Sequence, residues 1–141
     1  MTDLLEKAAA LARARSWGHC EACGLAIHGR LDPHHRKARG AGGVHRDAAP
    51  IAHDVRNLLA LCRPCHDQTE HGATWTETEA LGWRVPSWRY AVNTPALLYT
   101  VNGHGWWYLT TDGGYQWAGQ APDWRIPSSF TGRDGPISPT W

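Results

Sequence analysis

Apolar residues follow three different patterns along this chain. In residues 2–15 they recur at helical spacing: Leu4, Leu5, Ala8, Leu11 and Ala12 fall on one face, the signature of an amphipathic helix. Thr2 or Asp3 can cap it, and the acids Asp3 and Glu6 precede the bases Arg13 and Arg15, complementing the helix dipole. Over residues 16–43 the pattern breaks into glycine, proline and charge, which predicts loops with a short strand pair around 25–31. The apolar run 57–61 (NLLAL) leads into CRPCH, where Pro64 suits a first helical turn and Gly72 a stop, so a short helix is expected over 64–71. Thr74-x-x-Glu77 and Thr76-x-x-Glu79 both match a capping box and predict a brief helix ending at Leu81 and Gly82. Beyond Pro95 the period changes to that of strands: 96–101, 106–111 and 115–117 are separated by the turn-rich NGHG and DGG. A three-stranded β-meander follows, and the Pro-, Ser- and Gly-rich residues after Ile126 read as a disordered tail.

The chain is thus expected to be α+β: an N-terminal helix (1–16), a central unit (17–85), a meander extension (86–126) and a tail (127–141). Its 141 residues suit one compact domain with extensions. No apolar run approaches the roughly 20 residues of a membrane span, and the opening residues lack the order of charge and apolar character of a signal peptide. A cytoplasmic location is therefore expected. Nine tryptophans are many for this length. Trp106, Trp107 and Trp117 could stack on nucleobases, but a three-stranded sheet needs apolar cover, and packing is the preferred role.

The net charge is only +1, yet its distribution is uneven: residues 28–46 carry Arg30, Arg36, Lys37, Arg39 and Arg46 with four histidines, against the single acid Asp32. Such a stripe can be a footprint for phosphates, although a charge run by itself is usually a solvated loop.

The cysteines form two C-x2-C pairs, Cys20/Cys23 and Cys62/Cys65. Each pair puts two thiolates on one turn, and two facing pairs complete a tetrahedron around a structural Zn²⁺. LCRPCH also matches the C-x-x-C-H attachment signature of a c-type haem. That reading leaves Cys20 and Cys23 unexplained and offers only Met1 as a methionine axial ligand, so zinc is preferred.

The set CEAC, DPHHRKARGAGG and NLLALCRPCH resembles the HNH endonuclease family, of the ββα-metal type with a zinc-knuckle frame, and most of all short HNH proteins of actinobacterial phages and prophages. The similarity is close over residues 17–72 and looser to about Trp117. It implies that His34 binds a catalytic divalent cation, that His35 is the general base, that Asn57 braces the loop of His35, and that His66 is the second metal ligand. The cation would be Mg²⁺ or Mn²⁺, with Zn²⁺ or Ni²⁺ as alternatives. His71, five residues after His66 and about 140° around a helix from it, stays a candidate ligand only if the helix unwinds before Gly72. Asp32 is expected to be a turn residue. In this setting Arg36, Lys37 and Arg39 become candidate phosphate contacts. The implied substrate is DNA, taken as double-stranded, with terminase and portal proteins of a phage packaging machine as implied partners in the host cytoplasm. The alternative is a zinc-stabilised DNA-binding module without cleavage. His19, His28, His45, His53 and His104 have no motif position, and surface or turn roles are expected of them.

Overall fold

The computed structural model describes residues 3–37 and 49–121; the expectations for Arg39 and for the tail 127–141 lie outside them. The fold is α+β, with a leading helix and two small antiparallel sheets.

Helix α1 (Asp3–Ser16) has the acidic start and basic end read from the sequence. Its buried face differs from the expected one. Leu5, Ala8, Ala9 and Ala12 are buried with Val55 and Leu58, while Leu4 and Leu11 remain largely exposed. The small alanines let the helix sit close to the strand beneath it. Arg15, expected to serve the helix terminus, is instead wholly buried: its Nη2 lies 2.7 Å from Glu21 Oε1, and the guanidinium also donates to the carbonyls of Val55 and Leu58. Glu21 additionally accepts from the Ala60 amide and the Tyr115 hydroxyl. Burial, followed by the Glu21 charge, pushes the Tyr115 phenol well above its ordinary range.

The expected strand pair around 25–31 is reduced to one isolated bridge, His19 to Ala26. The strand lies just beyond it: β1 (Asp32–His35) pairs antiparallel with β2 (Leu58–Leu61), with His34 opposite Leu59 and His35 opposite Leu58. Pro33 is tolerated because β1 borders only one strand, so its missing N–H can fall on the open edge. All four β2 residues are buried, one side under α1 and the other in the main core. Each of its leucines contributes roughly 1.5–3 kcal/mol relative to exposure.

A short turn of helix, α2 (Ala49–Ala52), and a 3₁₀ turn (Val55–Asn57) lead into β2. After it, α3 (Arg63–Asp67) carries Pro64 in its first turn and widens into a π-type turn (Gln68–Gly72), in which the Ala73 amide donates to the Gln68 carbonyl. Helix α4 (Trp75–Ala80) starts on the Thr74–Glu77 capping box, as the sequence predicts. It ends at Gly82, whose φ of +73° and close approach to the Pro95 carbonyl leave no room for a Cβ. A 3₁₀ turn (Ala91–Asn93) precedes the meander of β3 (Ala96–Thr100), β4 (Gly103–Leu109) and β5 (Tyr115–Gln120), in that spatial order. His104, expected in a turn, belongs to β4.

The meander shares its core with the cysteines. Leu97, Leu98, Trp107 and Leu109 join Cys20, Cys23, Cys62, Cys65, Leu59, Leu61 and Trp83 in one buried cluster. Trp107 packs edge-on to Trp117, which keeps about half its surface exposed. No helix among the described residues is long and apolar enough to cross a membrane.

Candidate metal centres

The first centre is built by two turns at opposite ends of the sequence core. The Cys20–Cys23 turn closes through the Gly24 amide on the Cys20 carbonyl, and the Glu21 amide on the Ala60 carbonyl ties it to β2. Cys62 follows β2 directly and Cys65 sits in α3. All four sulfurs are buried and lie within 4.8 Å of one another, with Cys23 and Cys62 3.9 Å apart. Tetrahedral Zn–S bonds of about 2.3 Å require sulfurs about 3.8 Å apart, so the cluster can hold a structural zinc ion. Burial pushes the Cys20 thiol well up, while hydrogen bonds from Cys20, Cys23 and Cys65 pull that of Cys62 down. Buried together, the thiols share little negative charge unless a cation joins them.

The second centre lies beside β1. His34 is fully buried, and its Nε2 lies 2.8 Å from the Trp83 carbonyl, an acceptor that requires the proton on Nε2. Its Nδ1 lies 3.1 Å from Glu70 Oε1. His66 repeats the arrangement. Its Nδ1 is 2.9 Å from Asp32 Oδ2 and its Nε2 is 3.7 Å from the same Glu70 oxygen. Two imidazole lone pairs and a carboxylate therefore converge. They repel one another unless a proton or a metal cation stands between them, and the three ligand atoms lie within 4.8 Å of each other. Asp32 is thus a strand residue that orients a histidine, a correction to its expected place in a turn; carboxylates commonly hold metal-binding imidazoles this way.

Glu70 is the residue that motif reading missed. It stands four positions after His66, one α-helical turn, where α3 passes into its π-type turn. His34, followed by the opposing pull of burial and the charges of Arg84 and His66, leaves its carboxyl at about 2. His71, a candidate ligand only if the helix unwound, is exposed and does not belong to the group, whose third member is a carboxylate.

His35 takes the next position on β1, so its ring leaves the strand on the other face. There its Nε2 lies 3.1 Å from Nδ1 of His53, which sits in a turn, one of the two roles expected of it, but is buried. Asn57 braces the same region. Its Oδ1 accepts from the Lys37 amide, its Nδ2 donates to the Ala52 and Lys37 carbonyls, and its own carbonyl accepts from the Arg36 amide.

Arg36 requires a correction. It is buried, and its guanidinium donates to the carbonyls of Gly82, Arg56, Ala91 and Thr94. It is a clamp for the chain and has no surface to offer a phosphate. Burial lowers it to about 9, so it keeps its charge at neutral pH. Lys37 is partly exposed, with its Nζ over the Tyr90 ring.

Comparison with protein-family models, curated proteins and solved structures finds no match.

Proposed function

We propose that this chain is a metal-dependent endonuclease that hydrolyses DNA phosphodiester bonds in the manner of HNH enzymes. The observation that carries the reading is the convergence of His34 Nδ1, His66 Nε2 and Glu70, one strand position from a second imidazole held by His53. In-line displacement at phosphorus puts the attacking and leaving oxygens on opposite sides. The displacement needs a base and a charge-stabilising centre, and consecutive residues of β1 carry a candidate for each.

His35 takes a proton from the attacking water, whose oxygen bonds to phosphorus as the bond to the 3′-oxygen breaks. Such a base contributes roughly 10²–10⁴ in rate. Asn57 fixes the backbone directly after His35, and His53 fixes its ring. Asp32 keeps the proton of His66 on Nδ1, leaving Nε2 free to bind. His34, His66 and Glu70 would hold Mg²⁺ or Mn²⁺, which would supply positive charge to stabilise the phosphate and the departing oxygen. Cys20, Cys23, Cys62 and Cys65 would hold the structural zinc of the frame.

Purified protein is expected to nick or cut plasmid DNA with Mg²⁺ or Mn²⁺. His35→Ala is expected to remove cleavage while keeping the fold, checked by gel assay beside circular dichroism. Equal cutting by that variant would overturn the assignment of the base.

A further inference from the structure

Arg36 links the site to a second surface. Directly after His35, its guanidinium grips the Ala91 and Thr94 carbonyls, and its own carbonyl accepts from the Val85 amide. The intervening turn is thereby docked rigidly against the end of β1. That turn presents Trp88 and Tyr90, 76% and 65% exposed, with the exposed Arg89 between them. Lys37, two residues from His35, donates to the Arg89 carbonyl from a point 5.4 Å from the Tyr90 ring centre. Among the described residues, a cleft of about 330 Å³ is lined by Trp88, Arg89, Tyr90, Asn93, Thr94 and Pro95, none of them acidic.

Large rings left open to water are costly unless something covers them, and cations beside them select an anionic partner. Alternating rings and cations match a nucleic-acid strand, whose bases offer stacking faces and whose phosphates offer charge. A paired duplex hides those faces. We propose that the turn of Trp88, Arg89 and Tyr90, together with Lys37, is a stacking platform for unpaired bases of a DNA strand, so that the substrate is single-stranded DNA or duplex with an unpaired segment. The inference rests on the nuclease reading for the strand being a substrate; binding itself does not depend on cleavage.

The test measures binding of the full-length His35→Ala protein, which does not consume its ligand, to a fluorescent 20-nucleotide oligothymidine and to a duplex of equal length. Tighter binding of the single strand is expected. Trp88→Ala and Tyr90→Ala should each weaken it by about 5- to 150-fold, Trp88→Phe should restore most of it, and Lys37→Met should lower the salt slope by about 1. Trp17→Ala, at a tryptophan 71% exposed on another segment, should change nothing. Thermal melts establish that each variant is folded. Equal affinity for single strand and duplex, or folded Trp88 and Tyr90 variants that bind like the parent, would overturn the platform, as would a protein ligand on this surface with no oligonucleotide binding. If the platform variants lose binding but the parent never cuts, the nuclease reading fails and the platform stands. If the parent cuts and Trp88→Ala both binds and cuts equally, the reverse holds.

Discussion

Asp32 and His66 stand 34 residues apart and share a hydrogen bond of 2.9 Å between a strand carboxylate and a helix imidazole. The Arg63 guanidinium reaches the same carboxylate oxygen at 2.9 Å. Burial raises the Asp32 carboxyl, but the bonds from His66 and Arg63 outweigh it and hold the group below its ordinary value. A carboxylate so placed decides which nitrogen of His66 carries the proton.

Asp32→Ala is therefore expected to weaken Mn²⁺ binding by about 10- to 100-fold without unfolding the protein. Titration calorimetry beside a thermal melt measures both. An unchanged affinity would show that His66 needs no orienting partner.

Metal affinity at the His34, His66 and Glu70 group should rise with pH. A cation binds an imidazole nitrogen only when that nitrogen carries no proton, so protons and metal compete for the group. The gain is read from Mn²⁺ titrations between pH 5.5 and 7.5. The stability of the metal-free protein follows the depressed Glu70 and Asp32. A carboxyl held below its unfolded value stabilises the fold above that value and loses the contribution as pH falls toward the folded one. The loss is expected between about pH 5 and 2, and Glu70→Gln should flatten this limb in acid-denaturation curves.

His53→Ala should lower the cleavage rate by about tenfold or more, part of the 10²–10⁴ a base contributes, while KM stays near the parent value. His53→Asn, whose amide can occupy the place of Nδ1, should recover part of the rate. A rise in KM with kcat intact would assign His53 to binding instead.

Arg15→Leu leaves Glu21 charged and buried, and should cost about 3–5 kcal/mol in urea denaturation. The double variant with Glu21→Leu should lose less than the single one, because the stranded carboxylate is gone. Cys62→Ser should lose zinc and the native fold together, measured by elemental analysis and circular dichroism.

The sequence carried some of this plainly. The capping box at Thr74 and Glu77, the alternation in the meander and the doubled C-x2-C spacing are local signals, and the structure contains all three. Tertiary contacts overrode the others. Arg15 and Arg36 look like surface cations because their buried acceptors, Glu21 and a set of backbone carbonyls, come together only on folding. Leu4 and Leu11 fit a helical face, yet the alanines between them give the closer approach to β2. Glu70 was readable as the position one turn after His66, but an exposed-looking glutamate in a charged run carries no distinctive spacing. His53 had no motif to mark it, because its partner is 18 residues away.

β1 and β2 contribute only four residues each, and the pleat repeats every two. A slip of one residue along that ladder would exchange the places of His34 and His35, delivering each ring to the chemistry of the other. Cys62 follows β2 directly, and Glu21, between Cys20 and Cys23, is bonded to Ala60. The four-cysteine centre thus lies directly beside the strand that pairs with β1. Four residue pairs of register therefore decide which of two identical imidazoles faces Glu70 and which faces His53.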